Sequence, residues 1–157
     1  MNTDRPVILI TGANGQVGNE FRVLSSRYPG YHFLFTTREE LPIEDEPSAA
    51  LFFDQYNISF CVNCAAYTAV DKAETEQEQA FRINAHAAGN LATLCRQHNA
   101  RFIHISTDYV FNGNASVPYR EDVATDPINV YGASKLAGEQ EVLQNDPSAV
   151  IIRTSWV

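Results

Sequence analysis

The sequence predicts one α/β domain over residues 1–157, a doubly wound parallel sheet of Rossmann-like type. Five short apolar runs alternate with stretches of helical period, the order that builds a parallel sheet with helices packed on its faces. The first run leads straight into glycines spaced G-x-x-G-x-x-G at Gly12, Gly15 and Gly18. A chain of 157 residues, 45% hydrophobic and 19% charged, is long enough for a single core and has the composition of a globular protein.

The formal net charge of −8 argues against a nucleic-acid or anionic-membrane surface as partner. No run approaches the ~20 apolar residues that span a bilayer. Met1-Asn-Thr-Asp-Arg-Pro6 lacks the charged-then-apolar pattern of a signal peptide, so a cytoplasmic protein is expected. Three cysteines are an odd number. Cys61 and Cys64 sit three apart on a strand, where side chains point to opposite faces, so the expectation is three buried free thiols and neither a redox pair nor a metal site.

Val7-Ile-Leu-Ile-Thr11 is continuous enough to be a strand covered on both faces. The turn Gly12-Ala-Asn14-Gly15-Gln16-Val17-Gly18 follows, and Phe21 and Leu24 continue it as a helix to residue 27. Strand, glycine turn and helix start are what a pyrophosphate site requires: Gly12 for the tight turn, Gly15 for backbone approach, Gly18 for helix-on-strand packing, and a helix N-terminus facing the negative charge.

Residues 31–36 form the second strand, whose end should meet the adenosine ribose. Thr36, Thr37 and Arg38 offer hydroxyls and a cation to a 2′-phosphate, which leans toward NADPH, while Glu39 and Glu40 immediately beyond leave NADH open. Residues 49–56 read as a helix and 58–63 as the third strand. Cys64-Ala65-Ala66-Tyr67-Thr68 then brings small residues to a strand's carboxyl end, either to let a flat cofactor near the backbone or to pack a helix. A long helix is expected over 74–99, with Asn84 its one notable polar residue.

Arg101–Thr107 is the fourth strand, and its end places Ser106 and Thr107 in the crevice of the glycine turn, either as substrate ligands or as turn and helix caps. Residues 113–127, with two prolines, read as a rim loop. Asn129 can cap the next helix, which puts Tyr131 and Lys135 one turn apart on one face. A phenol titrates near pH ~10, and a neighbouring ammonium should bring it down toward working range as a proton donor. Alternatively, Lys135 pairs with Glu139 one turn further on. Residues 149–154 make the fifth strand.

The glycine turn, Ser106-Thr-Asp-Tyr-Val-Phe111, Tyr131-Gly-Ala-Ser-Lys135 and Arg153-Thr-Ser-Trp-Val157, in that order, resemble the extended short-chain dehydrogenase/reductase family. Asn63-Cys-Ala-Ala-Tyr-Thr-Ala-Val-Asp-Lys-Ala-Glu74 narrows the likeness to the branch that makes dTDP-L-rhamnose. The resemblance implies that Thr107 orients a sugar ketone, Tyr131 gives the proton, and Lys135 binds nicotinamide ribose and lowers the Tyr131 pKa. It implies cofactor contacts at Gly12, Asn14, Gly15, Gln16, Val17, Gly18, Arg38, Ala65, Ala66, Tyr67, Tyr131 and Lys135. Substrate contacts are implied at Thr107, Tyr109, Tyr131 and Trp156.

The implied reaction is hydride transfer from NADPH or NADH to C4 of a nucleotide-linked 4-keto-6-deoxysugar. The alternatives are an epimerase or dehydratase of the same family, or a non-catalytic subunit that binds NADP. The family likeness allows a homodimer, and Mg2+ in full-length members, but gives this chain no metal ligands. Relatives carry an acidic residue near Thr37 and an Asp where Pro42 stands, which bears on cofactor preference. They also carry a C-terminal substrate domain. Its absence here implies an exposed apolar patch around residues 150–156, retained cofactor binding and weak or absent turnover.

Overall fold

The computed structural model describes residues 5–155. Five parallel strands form one sheet: β1 (Val7–Thr11), β2 (His32–Phe35), β3 (Ile58–Asn63), β4 (Arg101–Thr107) and β5 (Val150–Thr154). Their spatial order is β2-β1-β3-β4-β5. This is the doubly wound parallel sheet that the alternating runs predicted, and the order reverses between β1 and β3, where open sheets of this kind place their ligands.

Helix α1 (Gln16–Ser25) joins β1 to β2, and α2 (Glu46–Gln55) joins β2 to β3. Between β3 and β4 come α3 (Val70–Ala73), α4 (Gln77–Phe81), a π-turn at Arg82–Ala87 and α5 (Ala88–Gln97). A 3-10 turn, Asp108–Val110, follows β4, and α6 (Val130–Asn145) leads to β5. Right-handed crossovers explain the layering. Only the β1-to-β2 step runs toward one edge, so α1 takes one face and α2, α5 and α6 take the other.

The face under α2, α5 and α6 holds the core. Leu9, Cys61 and Phe102 from the strands meet Phe53, Leu91, Cys95 and Val142 from the helices, each at most 1% exposed. On the opposite face Ile8, Phe33, Phe60, Val62, Ile103, Ile105 and Ile152 line an open groove to which α1, alone among the helices, contributes Phe21 and Leu24. Val150 is 51% and Ile152 46% exposed there. The expected apolar patch is therefore present, and it is wider than the 150–156 segment.

The helix expected over 74–99 is not continuous. Lys72 O accepts from the Thr75 and Glu76 amides and ends α3, and the run restarts at Gln77. Residue 74 is the C-cap of α3, and its carboxylate serves another helix: Glu74 Oε1 accepts from the Val130 amide at 2.9 Å and caps α6. The other boundaries differ by a few residues, α1 ending at Ser25 and α2 starting at Glu46.

Candidate active site

The glycine turn closes as its spacing predicts. Gly12 adopts φ +62°, and the Gly15 amide donates to Gly12 O at 2.9 Å. A methyl on Gly12 would lie 2.6 Å from the Ala65 amide nitrogen, so the turn after β1 and the loop after β3 touch backbone to backbone. One on Gly18 would meet the Ala13 Cα at 2.6 Å, which is why α1 can lie on the turn. Helix α1 has Gly15 at its N-cap and no side-chain cap, leaving first-turn N–H groups turned outward. A bare helix N-terminus above a cradle that any side chain would fill fits a dinucleotide pyrophosphate.

Two cavities meet over this turn and share Asn14, Gly15, Cys64, Ala66 and Thr68. The first, about 600 Å³, is lined by Gln16, Val17, Gly18, Thr107, Tyr109, Tyr131 and Lys135. The other, about 440 Å³, is lined by Gly12, Arg38, Ala65 and Tyr67. Every predicted site residue among the described ones lies in one or both. Trp156 lies outside the described residues. Among the described residues there is no group of three or more His, Cys, Asp or Glu side chains placed to hold a metal.

Helix α6 is fixed at its start by two caps, Asn129 Oδ1 accepting from the Gly132 amide at 2.7 Å and Glu74 from Val130. Gly132 lies so close to the 3-10 turn that a methyl would sit 2.2 Å from Tyr109 O. Tyr131 thereby stands edge-on to Tyr109, ring centroids 5.5 Å apart, beside the Thr107 hydroxyl, which donates to Asp108 Oδ1 at 3.2 Å. Of the two roles left open by the sequence, the structure shows the cap: Thr107 Oγ1 accepts from the Tyr109 amide at 3.2 Å and caps the turn.

The expected lowering of the Tyr131 pKa is not what the structure gives. Burial, only partly opposed by the nearby Thr107 hydroxyl, holds the phenol above its usual value, with Tyr109 and Asp108 adding to the rise. The Lys135 ammonium contributes no resolved effect. Its Nζ instead donates to Ile105 O at 2.7 Å, and the residue is 2% exposed. Burial brings Lys135 down to about 8, with Glu139 and Cys64 opposing.

Nor is Glu139 a surface partner for Lys135. It accepts from Ser106 Oγ at 2.5 Å and takes the Arg153 guanidinium on both oxygens, at 2.9 Å and 2.7 Å. This buried pair ties α6 to the ends of β4 and β5. Asn84 lies in the π-turn at 1% exposure, donating to Tyr67 O and Ser134 Oγ and accepting from the Tyr67 amide. It links the Ala65–Ala66–Tyr67 loop to the helix of Tyr131.

At the adenosine end, Thr36 offers no hydroxyl, because its Oγ1 donates to Ile10 O and the residue is buried. Thr37 and Arg38 do line the cavity, but each is held by an acid: the Thr37 amide donates to Glu40 at 2.8 Å, and Arg38 pairs with Glu44 at 2.5 Å. Cys61 and Cys95 are buried free thiols as expected, whereas Cys64 is half-buried and lines both cavities. Burial pushes its thiol up to about 11.

Sequence reasoning missed Glu74, Glu139 and Arg153 as supports of the catalytic helix, and His104 beneath Lys135. For His104 a signal existed: strand alternation puts it on the same inward face as Phe102.

A profile of the family described as "RmlD substrate binding domain" matches residues 6–157. A dTDP-4-dehydrorhamnose reductase of Mycolicibacterium smegmatis is 46% identical over 153 residues, 96% of this chain and 45% of that protein. A solved dTDP-4-dehydrorhamnose reductase from Bacillus anthracis, in complex with NADP, superposes with a TM-score of 0.92 at 38% identity, over 97% of this chain and 54% of that one. One from Clostridium acetobutylicum gives 0.90 at 39% identity, over 96% and 53%. The chain thus spans about half the length of the relatives it matches. With a glycine cradle, a Tyr/Lys helix and a hydroxyl-bearing strand end all opening on one groove, the chain belongs to the RmlD substrate binding domain family, whose members here are dTDP-4-dehydrorhamnose reductases.

Proposed function

We propose that this chain supplies the cofactor-binding and proton-donating part of a reductase that converts dTDP-4-dehydro-L-rhamnose to dTDP-L-rhamnose. The observation that carries the reading is that Thr107, Tyr131 and Lys135 open on one cavity continuous with the glycine cradle. Asn14, Gly15 and the first turn of α1, Gln16 to Gly18, would hold the cofactor pyrophosphate over Gly12. Ala65, Ala66 and Tyr67 would border the adenosine and ribose, and Arg38 would take a 2′-phosphate once turned from Glu44. The nicotinamide cofactor, when bound, supplies the hydride that reaches C4.

The rest is the work of this chain's side chains. Thr107 donates its hydroxyl hydrogen to the ketone oxygen and holds it beside the phenol. Tyr131 gives its proton to that oxygen as the carbonyl becomes an alcohol, so the sugar gains two hydrogens, one at carbon and one at oxygen. A phenol held above its ordinary pKa stays protonated at neutral pH, as a donor must. Lys135, one turn away, would hold the nicotinamide ribose. Tyr109 walls the sugar side, and Trp156 is assigned to the same wall by family likeness alone.

The test is a chimera in which residues 6–155 replace the matching part of the M. smegmatis relative. With the keto-sugar, NADPH absorbance should fall in proportion to product. Turnover that recycles the cofactor with no net loss of NADPH would point to an epimerase or dehydratase instead.

A further inference from the structure

His104 is fully buried on β4, faces α6, and has no part in the reaction as described above. Its hydrogen bonds fix where its proton sits. The Ala65 amide, which can only donate, points at Asn63 Oδ1 at 3.2 Å, and Thr11 Oγ1 donates to the same oxygen at 2.6 Å. Asn63 therefore presents its Nδ2 hydrogens to His104, whose Nδ1 lies 3.0 Å away and must accept. The opposite orientation would turn an NH2 group toward the Ala65 amide and leave that amide only its longer contact, 3.4 Å, to Thr11 Oγ1. A neutral ring that accepts at Nδ1 carries its hydrogen on Nε2.

That Nε2–H points at Lys135, whose Nζ is 3.5 Å away and donates to Ile105 O at 2.7 Å. An ammonium has three hydrogens and no lone pair, so one of its N–H bonds would face the imidazole N–H. A neutral amine has a lone pair to turn toward it while keeping its bond to Ile105. We propose that His104 is a positioning residue for Lys135, its Nε2–H meeting the lone pair of the lysine nitrogen and so favouring the neutral amine over a fixed cation.

The surroundings agree. His104 is held neutral by burial first and by Lys135 second, and burial brings Lys135 to about 8. The charged and titratable groups around Lys135 are few. On α6, Glu139 favours the ammonium, but its charge is shared with Arg153 from β5 and Ser106 from β4. From the end of β3 comes the Cys64 thiol, itself held protonated by burial. Tyr131, one turn earlier, is a neutral phenol, and Asp108 lies on the turn after β4, nearer the phenol. Under the reductase reading, on which this consequence alone rests, such a lysine can return to Tyr131 the proton that the phenol gives up.

Nuclear magnetic resonance of the chain alone tests the inference with no cofactor or substrate, so its failure is distinguishable from failure of the reductase reading. The His104 ring nitrogens should report a bare Nδ1 and a protonated Nε2, unchanged from neutral pH down to about pH 5. The Lys135 Cε signal should titrate near 8. In His104→Gln, whose amide can turn its oxygen to Lys135, that midpoint should rise by about one pH unit, tenfold in proton affinity. A hydrogen on Nδ1, a charged ring at pH 7, a Lys135 midpoint at its ordinary value of ~10.4, or an unmoved midpoint in His104→Gln would each overturn it. Should that variant not fold, the tautomer and the midpoint of the unmodified chain decide. A histidine that only filled space would fix neither.

Discussion

At the Tyr131 end of the groove, the proposed catalytic end, Ser134, Lys135, Glu139, His104 and Asn63 are each at most 3% exposed, and every one is hydrogen-bonded. At the adenosine end the Arg38 side chain is 63% exposed and its partner Glu44 13%. The first end is assembled from four elements, β3, β4, β5 and α6, joined by buried polar contacts. The second is a short loop after β2, held by one ion pair, Arg38 with Glu44, and an amide–carboxylate hydrogen bond from Thr37 to Glu40, both weakened by nearby water. Chemistry needs positions fixed to a fraction of an ångström, and burial with full pairing provides that rigidity. Recognition of a ribose substituent tolerates adjustment, so exchangeable surface pairs suffice.

Substitutions should therefore cost much at one end and little at the other. The largest effect is expected for Tyr131→Phe in the chimera, a fall in turnover of about 10²–10⁴ with cofactor affinity retained. Turnover unchanged in a stopped-flow assay would remove the phenol from the chemistry. Next comes Gly138→Ala on α6. A methyl there would sit 2.0 Å from Asn84 O, and since backbone cannot yield as a side chain does, a loss of about 3 kcal/mol in urea unfolding is expected. A neutral result would mean that α6 and the π-turn are not packed as described.

A pH experiment sharpens the contrast further. Lys135 titrates at about 8 in the folded chain and near ~10.4 unfolded. Between those values the unfolded chain binds more protons at this lysine, so Lys135 contributes a stability that rises with pH across that window, on the order of 2–3 kcal/mol, against the opposite slope from the Cys64 thiol, which burial pushes up to about 11. The stability difference between the chain and Lys135→Met should therefore change with pH across that window; a difference that stays constant would mean that Lys135 does not titrate there. The smallest effect is expected at the other end. Arg38→Ala should change stability by less than about 0.5 kcal/mol. In calorimetric titrations it should remove any preference of NADPH over NADH, and an unaltered ratio would reassign the 2′-phosphate contact.

The same contrast decides what could be read from the residues alone. The strands, the glycine turn and the Asn129 cap are local patterns, and each stands within a residue or two of its expected place. Thr107, Tyr131 and Lys135 met in space because parallel strands deliver their carboxyl ends to one rim. What stayed hidden depends on partners far along the chain: Glu74 reaches α6 across 56 residues, and Asn63 meets His104 across 41. The Tyr131 pKa was misjudged for the same reason. Helical spacing put Lys135 near the phenol, but only the fold shows its nitrogen turned to Ile105 and the phenol desolvated. At the adenosine end, Arg38 was recognised as a cation and its pairing with Glu44 was not, though the two lie only six residues apart.

The π-turn at Arg82–Ala87 holds more residues in its turn than an α-helix does, and each residue of an α-helix advances about 100° around the axis. Excising one residue there would mend the helical ladder and yet swing everything from Ala88 to Gln97 around by roughly that angle. Leu91 and Cys95 would leave the sheet and polar neighbours would face it. The irregularity is in this sense a phase correction, through which α4 and α5 each keep an apolar side inward although their stripes are out of step along the chain.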